Sequence, residues 1–235
     1  MKNCNSPENQ ATRCILPITC TTALAVAFTV LMPLSAHADF AMPLPMPVPA
    51  NIQVPAGNKF FLVGHGAGTQ NYICLPSGTA GVKYTLFTPQ ATLFNDDDKQ
   101  ITTHFFSPNP DEDGTIRATW QHSRDTSAVW AKLAPDGTSI DPAFVAPDAI
   151  PWLLLEVVGD TEGPTGGHKL TATTFIQRLN TSGGVAPSTG CNSFADVGKQ
   201  AFVPYTADYF FYKKAPKRVP PDDGFHFRPL DPKSP

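Results

Sequence analysis

Apolar residues in this chain recur at every second position in short runs, and nowhere at the spacing of an amphipathic helix. Val82, Tyr84 and Leu86 share one side of 82–87. Ile116, Ala118 and Trp120 oppose Arg117, Thr119 and Gln121 across 115–122. Residues 101–106 alternate again and stop at Pro108, while 59–63 form an apolar run that stops at a glycine cluster. Residues 150–158 are nearly all apolar, as a strand covered on both faces would be. Segments 170–179 and 209–212 supply two more runs. The clearest hairpin joins 115–122 to 128–133 through a tight connection at 123–126. The 25 prolines are about twice the usual share of roughly 5%, and interior prolines break helices. An all-β fold follows, either an antiparallel sandwich or a closed barrel. A weak threefold rhythm (57–107, 114–160, 166–213) without a shared motif leaves a β-trefoil-like arrangement as the alternative.

The chain divides by composition. Residues 1–38 read as a signal peptide: Lys2 and Arg13 precede an apolar run at 23–34, and Ala36, His37 and Ala38 make a small-x-small cleavage site. The run is shorter than the roughly 20 residues of a membrane span, and Pro33 interrupts it. The alternative is an uncleaved anchor reaching back to Ile15. Residues 39–57 are a Pro-rich extended lead-in, 58–213 a single all-β domain, and 214–235 a Pro-rich tail.

Cleavage after Ala38 removes Cys4, Cys14 and Cys20 and leaves Cys74 and Cys191. In an exported protein these two are expected to pair, the alternative being two free thiols. Such a bond constrains the unfolded chain by about 4.8 kcal/mol on the chain-entropy account, and it favours one domain over two.

Composition excludes some functions. The formal net charge is −3, so binding nucleic acid by neutralising phosphates is not expected. Hydrophobic residues make up 41% and charged residues 16%, which is unlike a disordered chain.

The polar clusters each carry a plain reading beside a chemical one. Gly64, Gly66 and Gly68 around His65 resemble the oxyanion loop of esterases, but no G-x-S-x-G elbow accompanies them. A glycine-rich bulge or turn after 59–63 explains them. His65, His104 and His122 could converge on a metal or serve acid–base chemistry, although no H-x-H or H-E-x-x-H spacing occurs. Residues 109–114 mimic the start of a calcium loop, with Trp120 where the closing glutamate belongs. His122, Ser123 and Asp125 offer the residue types of a serine triad, but neighbours on one turn cannot orient one another. An Arg124–Asp125 turn is the plainer account.

Five ordered blocks stand out: 68–74, 89–94, 149–155, 175–184 and 204–209. Together they resemble a secreted bacterial and fungal family known as domain of unknown function 3455, over about residues 50–213. The resemblance implies export and a single domain, and it brings no catalytic residues.

The expected function is that of an exported, non-catalytic β protein. It would bind a carbohydrate or other small ligand at an envelope or extracellular surface. The candidate binding residues are Gln70, Tyr72, Gln177 and Arg178 with the loop 181–184, because a Cys74–Cys191 bond would draw their segments together. The alternative role for Gln177 and Arg178 is to satisfy buried backbone groups. Rival functions are a histidine-dependent hydrolase or metalloenzyme built on His65, His104 and His122, and a purely structural surface protein. No cofactor, no nucleic-acid partner and no membrane span after signal removal are expected.

Overall fold

The structure, a computed structural model, describes residues 47–78 and 81–216. Eight strands follow one another: β1 (Asn58–Ser77), β2 (Gly81–Phe94), β3 (Gln100–Asn109), β4 (Thr115–His122), β5 (Ala128–Ser139), β6 (Trp152–Thr161), β7 (Thr173–Gly183) and β8 (Gln200–Lys214). Each pairs antiparallel with the next, and β8 returns to β1 from Asn58↔Lys214 to Ile73↔Gln200. The sheet is thus a closed barrel in sequence order, which resolves the expectation between sandwich and barrel and leaves no place for a threefold arrangement. Among the described residues no helix is long and apolar enough to cross a membrane. The signal peptide expected at 1–38 and most of the tail expected at 214–235 lie outside the described residues.

Glycine misled the reading of the first strand. No turn follows residue 63; β1 continues through Gly64, Gly66 and Gly68 to Ser77. These glycines alternate, so they share one face of the strand. A Cβ at Gly66 would lie 2.9 Å from the Tyr209 ring, and one at Gly64 would lie 2.9 Å from Leu93. The glycines are the hollow into which large interior side chains from β2 and β8 fit. Prolines fall where the ladder is irregular or stops, as their missing N–H requires. Pro135 lies in the break between Leu133 and Thr138 of β5, and Pro89 lies just beyond the last β2–β3 pair.

The two faces of the wall bury separate cores. Inside, Leu93, Trp120, Val129, Ile176, Tyr209 and Phe211 pack together. Outside β5–β7, Trp152, Leu154 and Leu179 are covered by Ile52 and Val145. The lead-in is therefore not merely extended: residues Ala50–Ile52 form a 3-10 turn and Ile52 is fully buried. Asn51 Nδ2 fastens it by donating to the carbonyls of Asp136 (2.9 Å) and Thr138 (2.8 Å).

The ends of the barrel differ. Residues 162–172, between β6 and β7, fold over one end and insert the fully buried Leu170 into the interior core. Asp125 anchors this plug, accepting from the Lys169 amide at 2.7 Å, while Leu170 N–H donates to Ser127 Oγ at 3.1 Å. Burial works against ionisation of Asp125, yet the bonds from Lys169 and Ser127 and the nearby His122 hold its carboxyl down to about 2. His122 Nδ1 lies 2.9 Å from Asp125, so the turn is closed by a His–Asp contact rather than the expected Arg124–Asp125 pair. At the other end β1 and β2 run on past the ring. Cys74 and Cys191 form a disulfide there (Cα–Cα 5.5 Å), holding the segment between β7 and β8 against β1.

Candidate functional site

Above the plugged end, the interior is not filled. A cavity of about 270 Å³ receives at least one side chain from every strand of the ring. Its apolar wall is Leu86 of β2, Phe106 of β3, Ala118 of β4, Ala131 and Leu133 of β5, and Leu153 and Leu155 of β6. Leu86 and Leu133 are 38% and 49% exposed, which places the opening at the end opposite the plug. The floor is aromatic. His104 stacks on Trp120 with ring centroids 4.2 Å apart and planes 10° apart, and Tyr209 leans on both at 5.2 and 5.6 Å.

The polar groups lie to one side, on β1 and β7. Arg178 points inward between Ile176 and the end of its strand, and its Nε and Nη2 donate to the Pro151 carbonyl at 3.2 and 2.8 Å. No Asp or Glu lines the cavity, and among the described residues Arg178 has no ion-pair partner. Gln70 is 2% exposed, and its Nε2 has no hydrogen-bond partner among the described residues; the same holds for Trp120 Nε1 and, away from the cavity, for Thr102 Oγ1 and Trp152 Nε1. Native interiors satisfy most such groups. Two unbonded donors and one unpaired cation around a single cavity are therefore a departure that needs a reason.

The electrostatics follow from burial around that cation. Burial pushes the His104 pKa down to about 3, against the raising effect of the bond from Nδ1 to the Thr119 carbonyl (2.9 Å), and the Arg178 charge lowers it further. The imidazole is neutral at any physiological pH, with Nδ1 protonated and Nε2 free to accept. Burial likewise raises the phenols of Tyr205 and Tyr209, whose hydroxyls are 3.0 Å apart. The cavity thus holds a fixed positive charge, neutral hydrogen-bonding groups and an apolar wall.

The sequence-derived candidates are separated by strand geometry. Gln70 and Arg178 both line the cavity. Tyr72 is next to it, tying the 181–184 loop down by donating from its hydroxyl to the Gly184 carbonyl at 2.6 Å. Gly184 sits at φ +82°, and a Cβ there would strike Tyr205, Ile150 and Gln70; the loop closes over Gln70 because residue 184 has none. Gln177 faces the outer core, where Nε2 donates to the Ile52 carbonyl (2.7 Å) and Oε1 accepts from Tyr212 (2.6 Å). The three histidines do not converge. His65 stands outside the wall between Asp208 (2.7 Å) and Asp96 (2.9 Å), His104 lies inside, and His122 lies at the plug. No cluster of three or more His, Cys, Asp or Glu side chains that could hold a metal ion occurs among the described residues. The floor pair Trp120 and Tyr209, whose flat faces and polar tips suit ligand binding, and the leucines of β5 and β6 line the cavity without being among the four candidate binding residues.

The barrel wall also has a gap. The β2–β3 ladder runs only from Ala91↔His104 to Phe94↔Gln100. Beyond it a single bond, from Phe106 N–H to Thr88 Oγ1 (3.1 Å), holds the strands. An outer groove of about 590 Å³ lies over this gap and shares Pro89 and His104 with the interior cavity.

A family model described as a protein of unknown function, DUF3455, matches residues 55–213. The chain belongs to this family. The matched span contains all eight strands save the last residue of β8, so in this chain it takes in the barrel together with its plug, its disulfide and its cavity. No curated protein and no solved structure matches the chain.

Proposed function

We propose that this DUF3455 protein is exported and that its barrel holds a small molecule in the interior cavity without covalent chemistry. The observation that carries the reading is the set of unpartnered donors, Gln70 Nε2 and Trp120 Nε1, beside the unpaired Arg178. Leaving a buried donor unsatisfied costs about 1–3 kcal/mol; both atoms lie just behind the cavity surface, and a ligand toward which they shift would recover that. The leucine and phenylalanine wall suits a ligand with an apolar body better than a carbohydrate, whose hydroxyls would find few partners there. Neither a serine, a cysteine nor a carboxylate lines the cavity, so the groups for a nucleophile–base pair are not assembled around it. Export is supported by the signal-like features of 1–38 and by a disulfide of the kind that persists in oxidising compartments.

Trp120 in the floor provides the test. Titrating purified protein with small amphipathic compounds should change tryptophan fluorescence, and Ala131→Phe, which fills the cavity, should abolish the change. Ala118→Leu serves as a milder plug should the first variant fold poorly. Binding that survives both would place the site elsewhere. Intact mass of the exported form should correspond to a chain starting at Asp39.

A further inference from the structure

We infer that the ligand of this cavity is a small organic monocarboxylate, its acid group held by Arg178 and Gln70 and its apolar body lying against Phe106, Ala118 and Leu133. The inference rests on the cavity being the binding site. It goes further by assigning the ligand's charge, its functional group and its orientation.

Charge comes first. A guanidinium carries its charge throughout the ordinary pH range, and Arg178 is half-buried in the barrel, where a cation is costly unless it is paired and hydrogen-bonded. The Pro151 carbonyl accepts from two of its N–H groups but supplies no negative charge. The charged and titratable groups packed around it are the neutral His104 and the phenols of Tyr72, Tyr205 and Tyr209, each of whose ionisation feels the Arg178 charge. Ionisation of those phenols is opposed by burial, so none of them serves as counter-ion. The interior therefore has a net charge of one sign and one unit, complementary to a monoanion.

The functional group follows from the donors that remain. A guanidinium has five N–H groups; two go to Pro151 and the Tyr209 hydroxyl lies beside the group, so at least two are left, and the Gln70 amide, next to the Tyr205 hydroxyl, adds its own. A planar acid with two oxygens fits that set and can be held from both sides. A phosphate dianion would bring a second charge that no second cation in the lining meets. The size of the molecule is bounded by the cavity, whose 270 Å³ corresponds to about nine waters of bulk liquid. Orientation follows because Arg178 and Gln70 lie on one side of the ring, β7 and β1 being separated by β8 alone, whereas Phe106, Ala118 and Leu133 lie across it on β3, β4 and β5.

The test compares an acid with its uncharged counterpart: 3-phenylpropionate and 3-phenylpropanol, titrated by calorimetry into wild-type protein, Arg178→Gln, Gln70→Leu and the plug variant Ala131→Phe. Circular dichroism melts confirm folding of each. The expected result is that wild type binds the acid at least tenfold more tightly than the alcohol. Arg178→Gln should erase that preference by weakening the acid alone, Gln70→Leu should reduce it several-fold, and Ala131→Phe should remove both ligands. Equal binding of acid and alcohol, with both lost in Ala131→Phe, would overturn the carboxylate assignment and leave the cavity as the site. Acid binding that is unchanged in Ala131→Phe would overturn the cavity reading itself. Failure of wild type to bind either compound at millimolar concentration would overturn both.

Discussion

Gln70 and Gln177 are equally buried, at 2% exposure each, yet they stand on opposite faces of one barrel wall in opposite conditions. Gln177 uses both ends of its amide: it holds the Ile52 carbonyl and accepts from Tyr212. The outer core built around it is closed, with the lead-in segment as its cover. Gln70 leaves its Nε2 without a partner in an interior that also contains an unpaired arginine and an open cavity. Among the described residues the outer core also has an unpartnered donor, Trp152 Nε1, but it adjoins no cavity and no charge. A buried polar group marks function not by its burial but by lying unbonded next to open space and a cation without an ion-pair partner.

The disulfide sets the scale against which both faces can be measured, and it carries the largest expected effect. Cys74→Ala and Cys191→Ala should each lower stability by about 2–5 kcal/mol, seen in a urea midpoint, because the bond closes a loop of sequence separation 117. Untreated, denatured protein should take up no alkylating reagent at these positions. The comparison of the glutamines comes next. Gln177→Leu strands a buried carbonyl and a buried hydroxyl, at about 1–3 kcal/mol apiece, and should lower stability accordingly. Gln70→Leu removes a donor that is already unsatisfied, so its effect should stay within about 0.5 kcal/mol or be stabilising. Equal destabilisation by the two substitutions would mean that Gln70 has a structural partner and would dissolve the distinction between the faces.

Much of this architecture was legible in the period-2 pattern, and the part that was not has a physical reason. Alternation puts the side chains of Ile116, Ala118 and Trp120 on one face of 115–122, where the barrel has them, because alternation is a local property. It fits a sandwich and a barrel alike, since closure through the pairing of β1 with β8 depends on residues some 140 positions apart, which no local pattern reports. The run at 59–63 was cut short at Gly64 because glycine ordinarily weakens a strand. Here the large Leu93 and Tyr209 side chains opposite reverse that preference. Gln177 and Arg178 make no single surface, because neighbours in a strand point to opposite faces. The same rule that located the strands could have separated them.

Histidine chemistry sharpens the comparison through pH. His104, inside, has its pKa lowered to about 3 by burial, whereas its unfolded value is about 6.5. Below pH 6.5 the unfolded chain takes up a proton that the folded protein refuses. The stability contributed is therefore fully present above pH 6.5 and is lost as pH falls towards 3. The loss from this one group should reach about 1.4 kcal/mol by pH 5.5, and His104→Gln should flatten that slope in denaturant titrations at pH 7.5 and 5.5. A wild-type stability that rises from pH 6.5 to 5.5 by a kilocalorie or more would show that His104 accepts a proton in place.

His65 provides the smallest expected effect and the opposite sign. It stands outside the wall, and its pKa is raised first by its bond to Asp96, then by that to Asp208, with burial working weakly against them. Its folded form binds a proton more readily than its unfolded form, so its contribution is fully present below pH 6.5 and fades as pH rises through the raised value. Its side chain is 45% exposed and that of Asp96 is 83% exposed, so solvent and salt screen the contact and the energy should be slight. His65→Asn should therefore lower stability a little at pH 6 and less at pH 8.5, with the difference shrinking in 1 M salt. Proton NMR resolves the two histidines without relying on small energies. The His65 imidazole should titrate with a midpoint above 6.5, while His104 should show no titration between pH 5 and 8. A midpoint near or below 6.5 for His65 would mean that its two carboxylate contacts do not persist in solution, and the outer wall at β1 would then be as open to a ligand as the interior.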